Sequence, residues 1–170
     1  MNSSTAQSQV DSEYRANQGA LMQVPLFAAL APEPRKLLAY LCTRARFRPG
    51  EVIFKEGEVE GAAHILLEGT ATLTVARGGV EEPVRVMGEG EFIGGLSLLV
   101  DMKRLFSLTA SSPVTCLILS GEKFRRTGEQ VPEIYRDAVQ AIARAIGTWE
   151  VRLMDALIHQ GSQCIKFLGA

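Results

Sequence analysis

The strongest constraint on the fold is a run of short apolar segments between Arg44 and Ser120, each ended by a turn signal. The segments are EVIF, AHILLEG, TATLTVA, EPVRVM, LFSLTA and PVTCLILS. The turn signals between them are Pro49-Gly50, Gly57, Gly69, Gly78-Gly79, Gly88 to Gly90, and Ser111-Ser112. Many short strands at this spacing predict a mainly β fold, an antiparallel sandwich or barrel.

Helical patterns flank this strand region. PLFAALAPEPRKLLAYL predicts two short helices with a break near Pro32 and Pro34. Residues 1–20 are polar and predict a mobile arm, although DSEYRANQ could form a weak helical turn. Inside the strand region, GLSLLV could be a single inserted helical turn. After Ser120, GEKFRRTGEQ predicts a short helix.

A longer helix is predicted from about Pro132 to Gln160, because its apolar residues alternate steps of four and three as in a coiled coil. The seam comprises Tyr135, Val139, Ile142, Ile146, Trp149, Leu153 and Ala156. A second stripe beside it comprises Ile134, Ala138, Ala141 and Ala145. The seam favours a parallel homodimer; the alternative is one wide face buried within the monomer.

The 170 residues predict one domain at 21–131, followed by the helix at 132–160 and a tail at 161–170. A content of 46% hydrophobic and 22% charged residues is typical of soluble globular proteins. A net charge of −1 gives no bias toward nucleic acid or anionic membranes. Three distant cysteines, no apolar run of about 18 residues and no signal core predict a cytoplasmic protein.

Catalytic and metal-binding patterns are missing from the sequence. No histidine or cysteine sits at a spacing that identifies a nucleophile, and no phosphate loop ends in Gly-Lys-Ser/Thr. The three cysteines are too far apart for a zinc site. The sequence therefore predicts neither an enzyme nor a metalloprotein.

The order of these elements resembles the cyclic nucleotide-binding domain. That domain occurs in the catabolite activator and fumarate–nitrate regulator superfamily and in protein kinase A regulatory subunits. The resemblance covers about Val24 to Leu153 and rests on PLFAALAPE, RPGEVIFKEGE, HILLEGTATLTV and GEGEFIG. It implies an antiparallel β-roll or jelly-roll barrel, followed by a long C-terminal helix.

The resemblance also implies a phosphate cassette, in which Gly-Glu-Leu is followed by an arginine and a later alanine. The family glutamate accepts from the ribose 2′-hydroxyl, and the arginine and backbone N–H groups hold the cyclic phosphate. Gly94, Leu96, Arg104 and Ala110 fit this pattern, whereas Gly95 replaces the glutamate. The alternative for Arg104 is a surface arginine at the start of a strand.

Two further departures are bulky, since Leu105 and Phe106 follow Arg104 where the family has small residues. Either Phe106 fills the pocket, or it turns to the core and Leu105 faces the pocket or solvent. On the long helix, Thr148 and Trp149 could contact the base, although Trp149 also fits a coiled-coil knob. The candidate binding residues are Gly94, Gly95, Leu96, Ser97, Arg104, Leu105, Phe106, Thr148 and Trp149.

The function implied is a regulatory, signal-transducing module with weak or lost binding of cAMP or cGMP. One alternative is a structural or protein-interaction dimer whose pocket is filled. Another is the sensor domain of a transcription regulator without its helix-turn-helix. Only GSQCIKFLGA follows Gln160, which is too short for such a module, so no DNA binding by this chain is expected.

Overall fold

The computed structural model describes residues 3–133, 135–137, 139–140, 142–144, 147 and 151. Four helices are defined: α1 Ser3–Gln23, α2 Pro25–Ala28, α3 Pro32–Leu41 and α4 Gly121–Gln130. Eight strands are defined: β1 Cys42–Phe47, β2 Val52–Phe54, β3 Ala62–Glu68, β4 Ala71–Arg77, β5 Val80–Met87, β6 Phe92–Ile93, β7 Ser107–Ala110 and β8 Val114–Ser120. A 3-10 turn at Gly95–Leu98 confirms the helical turn predicted within the strand region.

The strands form two antiparallel four-stranded sheets, in the orders β1-β8-β3-β6 and β2-β7-β4-β5. The antiparallel pairing is as predicted. The closed barrel is not, since no ladder joins the two sheets within the described residues. Two of the four edge strands, β2 and β6, are short, with three and two residues, and each pairs with one strand of its own sheet. The fold is therefore a mixed one, two sheets with flanking helices.

Two hydrophobic clusters hold these layers together. The first joins the helices to the first sheet and includes Phe27, Leu38, Leu117 and Phe124. The second lies between the sheets and draws on both of them. Its members are Phe54, Leu66, Ala71, Leu73, Met87, Leu108, Ala110, Val114 and Cys116. This second cluster adjoins the candidate site, because β2, β3 and β7 lead into the loops that form it.

The N-terminal segment, predicted to be a mobile arm with at most a weak helical turn at DSEYRANQ, is helical over more of its length than that. Residues from Ser3 onward form α1, and its last turns contact α2 and α3. Leu21 is fully buried in the first cluster, and buried Asn17 accepts a hydrogen bond from Arg44 Nε at 2.8 Å. The polar composition concealed this, since Asn17 and Leu21 are the only buried residues among residues 11–23, the part of α1 whose burial is described. The division of the chain into domains stays a prediction.

The described residues after Pro132 are helical, which agrees with the predicted start of the long helix. Two residues of the predicted dimer seam contact their own domain. Ile142 is 5% exposed and belongs to the first cluster, while the Tyr135 ring lies 6.3 Å from Phe124. The described part of the seam thus packs within the monomer at these positions. Several residues of the predicted seam, stripe, base contacts and tail lie outside the described residues: Ile134, Ala138, Ala141, Ala145, Ile146, Thr148, Trp149, Leu153, Ala156 and the tail 161–170.

Candidate ligand-binding site

The candidate site begins where β6 ends. Gly94 has a φ of +86°, which favours glycine, and turns the chain into the 3-10 turn. A Cβ at Gly94 would lie 2.6 Å from Arg104 Nη1 and 2.7 Å from the Ala62 carbonyl oxygen. Ser97 N donates to Gly94 O at 3.0 Å and closes the turn. Glycine is therefore required here by both conformation and space.

Seven of the nine predicted site residues surround one cavity of about 130 Å³ beside this turn. They are Gly94, Gly95, Leu96, Ser97, Arg104, Leu105 and Phe106, and Met102 and Lys103 complete the lining. The other two, Thr148 and Trp149, lie outside the described residues. Ligand sites commonly measure about 300–1,000 Å³, so this cavity is small. None of its nine described lining residues is acidic, and two are cations.

Arg104 is buried rather than at the surface, with 5% of its area exposed. Its Nη2 donates to Ala62 O at 2.6 Å and to Glu60 Oε2 at 3.1 Å. The guanidinium carbon lies 4.2 Å from the centroid of the Phe54 ring, a cation–π contact. Arg104 Nε is buried without a hydrogen-bond partner among the described residues. A buried cation with unused donors beside a cavity is suited to an anionic ligand.

Sequence reasoning missed Glu60, which forms the ion pair with Arg104. The loop that carries Glu60 is paired through its backbone with the chain around Arg104. Gly57 N donates to Arg104 O at 2.8 Å, and Arg104 N donates to Glu58 O at 2.9 Å. Val59 and Lys103 form an antiparallel bridge next to these contacts. The two segments are more than 40 residues apart in sequence, and no local pattern signals their pairing.

His64 lies behind this ion pair on β3 and is 1% exposed. Its Nε2 is 3.7 Å from Glu60 Oε1. Burial, and secondarily the charge of Arg104, lowers the pKa of His64 to about 3. The imidazole is therefore neutral near pH 7 and adds no positive charge for an anion.

Phe106 lies at the boundary between the cavity and the second cluster. Its ring centroid is 6.4 Å from that of Phe54, and it packs against that cluster while also lining the cavity. Leu105 is 65% exposed and forms part of the cavity rim. Phe106 thus limits the cavity without lying wholly inside it, and both residues narrow the space near Arg104.

Gly95 occupies the position at which the family resemblance implies a glutamate. A Cβ at Gly95 would lie 3.0 Å from Phe92 Cε1 and 4.0 Å from Ile142 Cγ1. The contact with Phe92 is closer than a side chain normally tolerates, so the ring must move before any acid fits. The helical segment that carries Ile142 therefore lies against the cassette at this point.

The cassette is also attached to α4. Arg125 donates through Nη1 to Ser97 O at 3.3 Å and pairs through Nη2 with Asp101 Oδ1 at 2.8 Å. A Cβ at Gly121, the first residue of α4, would lie 2.3 Å from Ser97 O. A shift of the 3-10 turn would therefore disturb the start of α4 directly.

This geometry can be compared with known proteins. Residues 44–130, about half of the chain, match the family described as the cyclic nucleotide-binding domain. The chain belongs to that family. The family is a binding domain, which confirms the expectation that the chain is not an enzyme. None of the helices in the described part of the chain is long and apolar enough to cross a membrane.

The relatives of this chain include a protein kinase regulatory subunit and transcription regulators. A cAMP-dependent protein kinase regulatory subunit from Emericella nidulans is 34% identical over 122 residues, 72% of this chain and 29% of that protein. The N-terminal domain of a transcriptional regulator from Streptomyces coelicolor is 27% identical, with a TM-score of 0.69 over 79% of this chain and 94% of that one. Catabolite Activator Protein from Thermus thermophilus is 28% identical, with a TM-score of 0.63 over 78% and 62%. The chain thus spans about a third of the curated relative that it matches.

Proposed function

We propose that this domain is a ligand-sensing regulatory module in which Arg104 holds the phosphate of a cyclic nucleotide, cAMP or cGMP. The observation that carries the proposal is the buried guanidinium at the cavity, with Nε unpartnered among the described residues. The first N–H groups of a helical turn have no partner within it, so those of Gly95 and Leu96 are further donors for the anion.

Binding is proposed to be weak, because the site lacks the acid that would accept from the ribose. The loss of a hydrogen bond to a charged group removes about 1.5–3 kcal/mol, or one to two powers of ten in affinity. The cavity of about 130 Å³ adds a second cost, since Leu105 and Phe106 must move to admit a nucleotide. A Kd well above micromolar follows from the two effects together.

Ligand-dependent thermal stability tests this proposal. A ligand that binds the folded state at a hundred times its Kd raises the free energy of unfolding by about 2.7 kcal/mol. We expect millimolar cAMP or cGMP to raise the Tm of the native chain, while 5′-AMP, which lacks the cyclic ester, serves as the control. No shift with either cyclic nucleotide at millimolar concentration would contradict the proposal.

A homodimer through the 132–160 helix is the second part of the proposal. Ile142 is buried against its own domain, whereas Tyr135 contacts Phe124 but is 37% exposed. A partner helix would therefore have to meet residues of the stripe other than Ile142. Charged substitutions at Ile146 and Leu153 are expected to give a monomer in sedimentation. If the native chain already sediments as a monomer at micromolar concentration, this part is wrong.

One observation favours a different function, a protein-interaction domain with no ligand. The charge of Arg104 is already paired with Glu60, so the fold does not need an external anion. Under this alternative the cavity is a remnant of the fold, and neither cyclic nucleotide alters the Tm. The same thermal measurement therefore separates the two functions.

A further inference from the structure

The internal ion pair at the cavity has a consequence for any anion that enters it. Glu60 is 36% exposed, whereas the Arg104 side chain is 3% exposed, so the carboxylate reaches the guanidinium from the solvent side. Arg104 Nη2 is shared between Glu60 Oε2 and Ala62 O. One nitrogen of the fork is thus already occupied by groups of the same chain.

The position of Glu60 is set by backbone pairing and not by a mobile side chain alone. The hydrogen bonds from Gly57 N to Arg104 O and from Arg104 N to Glu58 O fix the two segments in register. The Val59–Lys103 bridge lies next to these hydrogen bonds. The backbone at Glu60 is therefore held close to Arg104, and its carboxylate lies 3.1 Å from Arg104 Nη2.

We propose that Glu60 is an internal competitor for Arg104 and that it sets the affinity of the site for anions. This inference rests on the proposed function, since it concerns the same arginine. A phosphate that makes a forked contact, through Nη1 and Nη2 or through Nε and Nη2, must share Nη2 with Glu60; otherwise it is left with a single contact to Nη1 or to Nε. In either case two negative groups share one cation in a partly desolvated site, which weakens binding.

Removal of the charge of Glu60 should therefore strengthen binding. Glu60→Gln keeps the shape and one acceptor oxygen, so Arg104 stays in place while the repulsion is removed. The alternative is that Glu60 only orients Arg104 for the ligand. In that case Glu60→Gln weakens ligand binding. The sign of the change decides between competition and positioning.

The experiment is calorimetry on the full chain with two probes, cAMP and inorganic phosphate. The variants are Glu60→Gln, Glu60→Ala, Glu60→Gln/Arg104→Ala, and the control Glu58→Gln. Glu58 belongs to the same loop, and its carboxylate accepts from Lys55 N at 2.9 Å instead of contacting Arg104. It therefore reproduces the change in net charge without touching the ion pair. Circular dichroism first establishes that each variant is folded. If Glu60→Gln does not fold, Glu60→Ala gives the same test.

We expect Glu60→Gln to bind cAMP about tenfold more tightly than the native chain and also to gain affinity for phosphate. Glu58→Gln should stay within twofold of the native affinity, and the double variant should bind neither probe. Unchanged or weaker binding of both probes by Glu60→Gln overturns the inference, even if the native chain binds cAMP. If Glu60→Gln gains phosphate binding that needs Arg104 while no variant binds cAMP, competition stands and the proposed function is wrong.

Discussion

The glycine turn of the β4–β5 hairpin and the glycine turn of the cassette differ in what surrounds them. Gly79, in the β4–β5 hairpin, has a φ of +84°, and no described atom lies within 4 Å of where its Cβ would be. Gly94, in the cassette, has a φ of +86°, and a Cβ at this position would lie less than 3 Å from Arg104 Nη1 and from Ala62 O. Glycine thus supplies only backbone freedom at the hairpin turn. At the cassette turn it also lets Arg104 and Ala62 approach the backbone closely.

The ion pairs of the two regions also differ, since the pair in the hairpin is exposed and the pair in the cassette is partly buried. In the hairpin, Arg77 Nε lies 3.9 Å from Glu82 Oε2, and both side chains are more than half exposed. In the cassette, the Arg104–Glu60 pair is 3.1 Å long, and its arginine is almost wholly buried. Exposed pairs contribute little to stability, whereas breaking a buried pair leaves a charge without compensation. The cassette is therefore the region in which substitutions should matter.

The largest effect is expected for Gly94→Ala. A residue with Cβ in the left-handed region costs about 1–2 kcal/mol, and the overlap with Ala62 O adds about 1–3 kcal/mol. Unfolding in urea should show a loss of about 2–5 kcal/mol. Gly79→Ala is the matched control, since it has the same φ and open space, and should lose only about 1–2 kcal/mol. Equal losses at both positions would show that close approach at Gly94 has no energetic weight.

The next effect is the loss of an arginine from each region. Arg104→Ala removes the buried cation and leaves Glu60, which is only partly solvated, without its partner. We expect a loss of about 2–3 kcal/mol in the free energy of unfolding, below the full range for buried pairs because Glu60 reaches solvent. Arg77→Ala should change it by less than about 0.5 kcal/mol. A loss for Arg77→Ala as large as for Arg104→Ala would remove the contrast.

The third effect is a pH dependence of the free energy of unfolding that arises from His64, beside the Arg104–Glu60 pair. The folded pKa of His64 is about 3, below the ordinary value of 6.5, so the unfolded chain binds an extra proton as the pH falls below 6.5. Stability is therefore present above pH 6.5 and is lost between pH 6.5 and about 3. From pH 7.5 to 5 the loss due to His64 is about 2 kcal/mol. Denaturation at both pH values should show this difference in the native chain and its removal in His64→Phe. A variant with the native pH dependence would contradict the assignment to His64.

The smallest effect concerns Gly95, which has no positive φ and whose close neighbour is the end of a ring. Gly95→Glu alone should do little, because its Cβ meets Phe92 Cε1 at 3.0 Å. Gly95→Glu/Phe92→Leu should tighten cAMP at least tenfold in calorimetry, about 1.4 kcal/mol, relative to Phe92→Leu alone. The gain should vanish with 2′-deoxy-cAMP, which lacks the hydroxyl that the new carboxylate accepts from. An equal gain with both nucleotides would show that the acid does not contact the ribose.

The sequence predicted the parts of the site that lie close together in the chain. The family resemblance located Gly94 and Arg104, and the short apolar run GLSLLV predicted the helical turn between them. The contacts that depend on distant segments were not predictable. The pairing of Glu60 with Arg104 arises from backbone pairing across more than 40 residues, and the burial of Ile142 arises from helix packing. The α1 helix was missed because its polar surface resembles that of an unstructured segment.

Calorimetric titration of cAMP into the native chain and into Arg104→Ala tests whether Arg104 is the anion-binding group of this cassette. We expect cAMP to bind the native chain weakly, with a Kd well above micromolar. We expect no cAMP binding to Arg104→Ala, because the buried guanidinium that would contact the phosphate is removed. Submicromolar affinity would show that the missing ribose acid does not matter. Equal binding by the native chain and Arg104→Ala would contradict the assignment of the site.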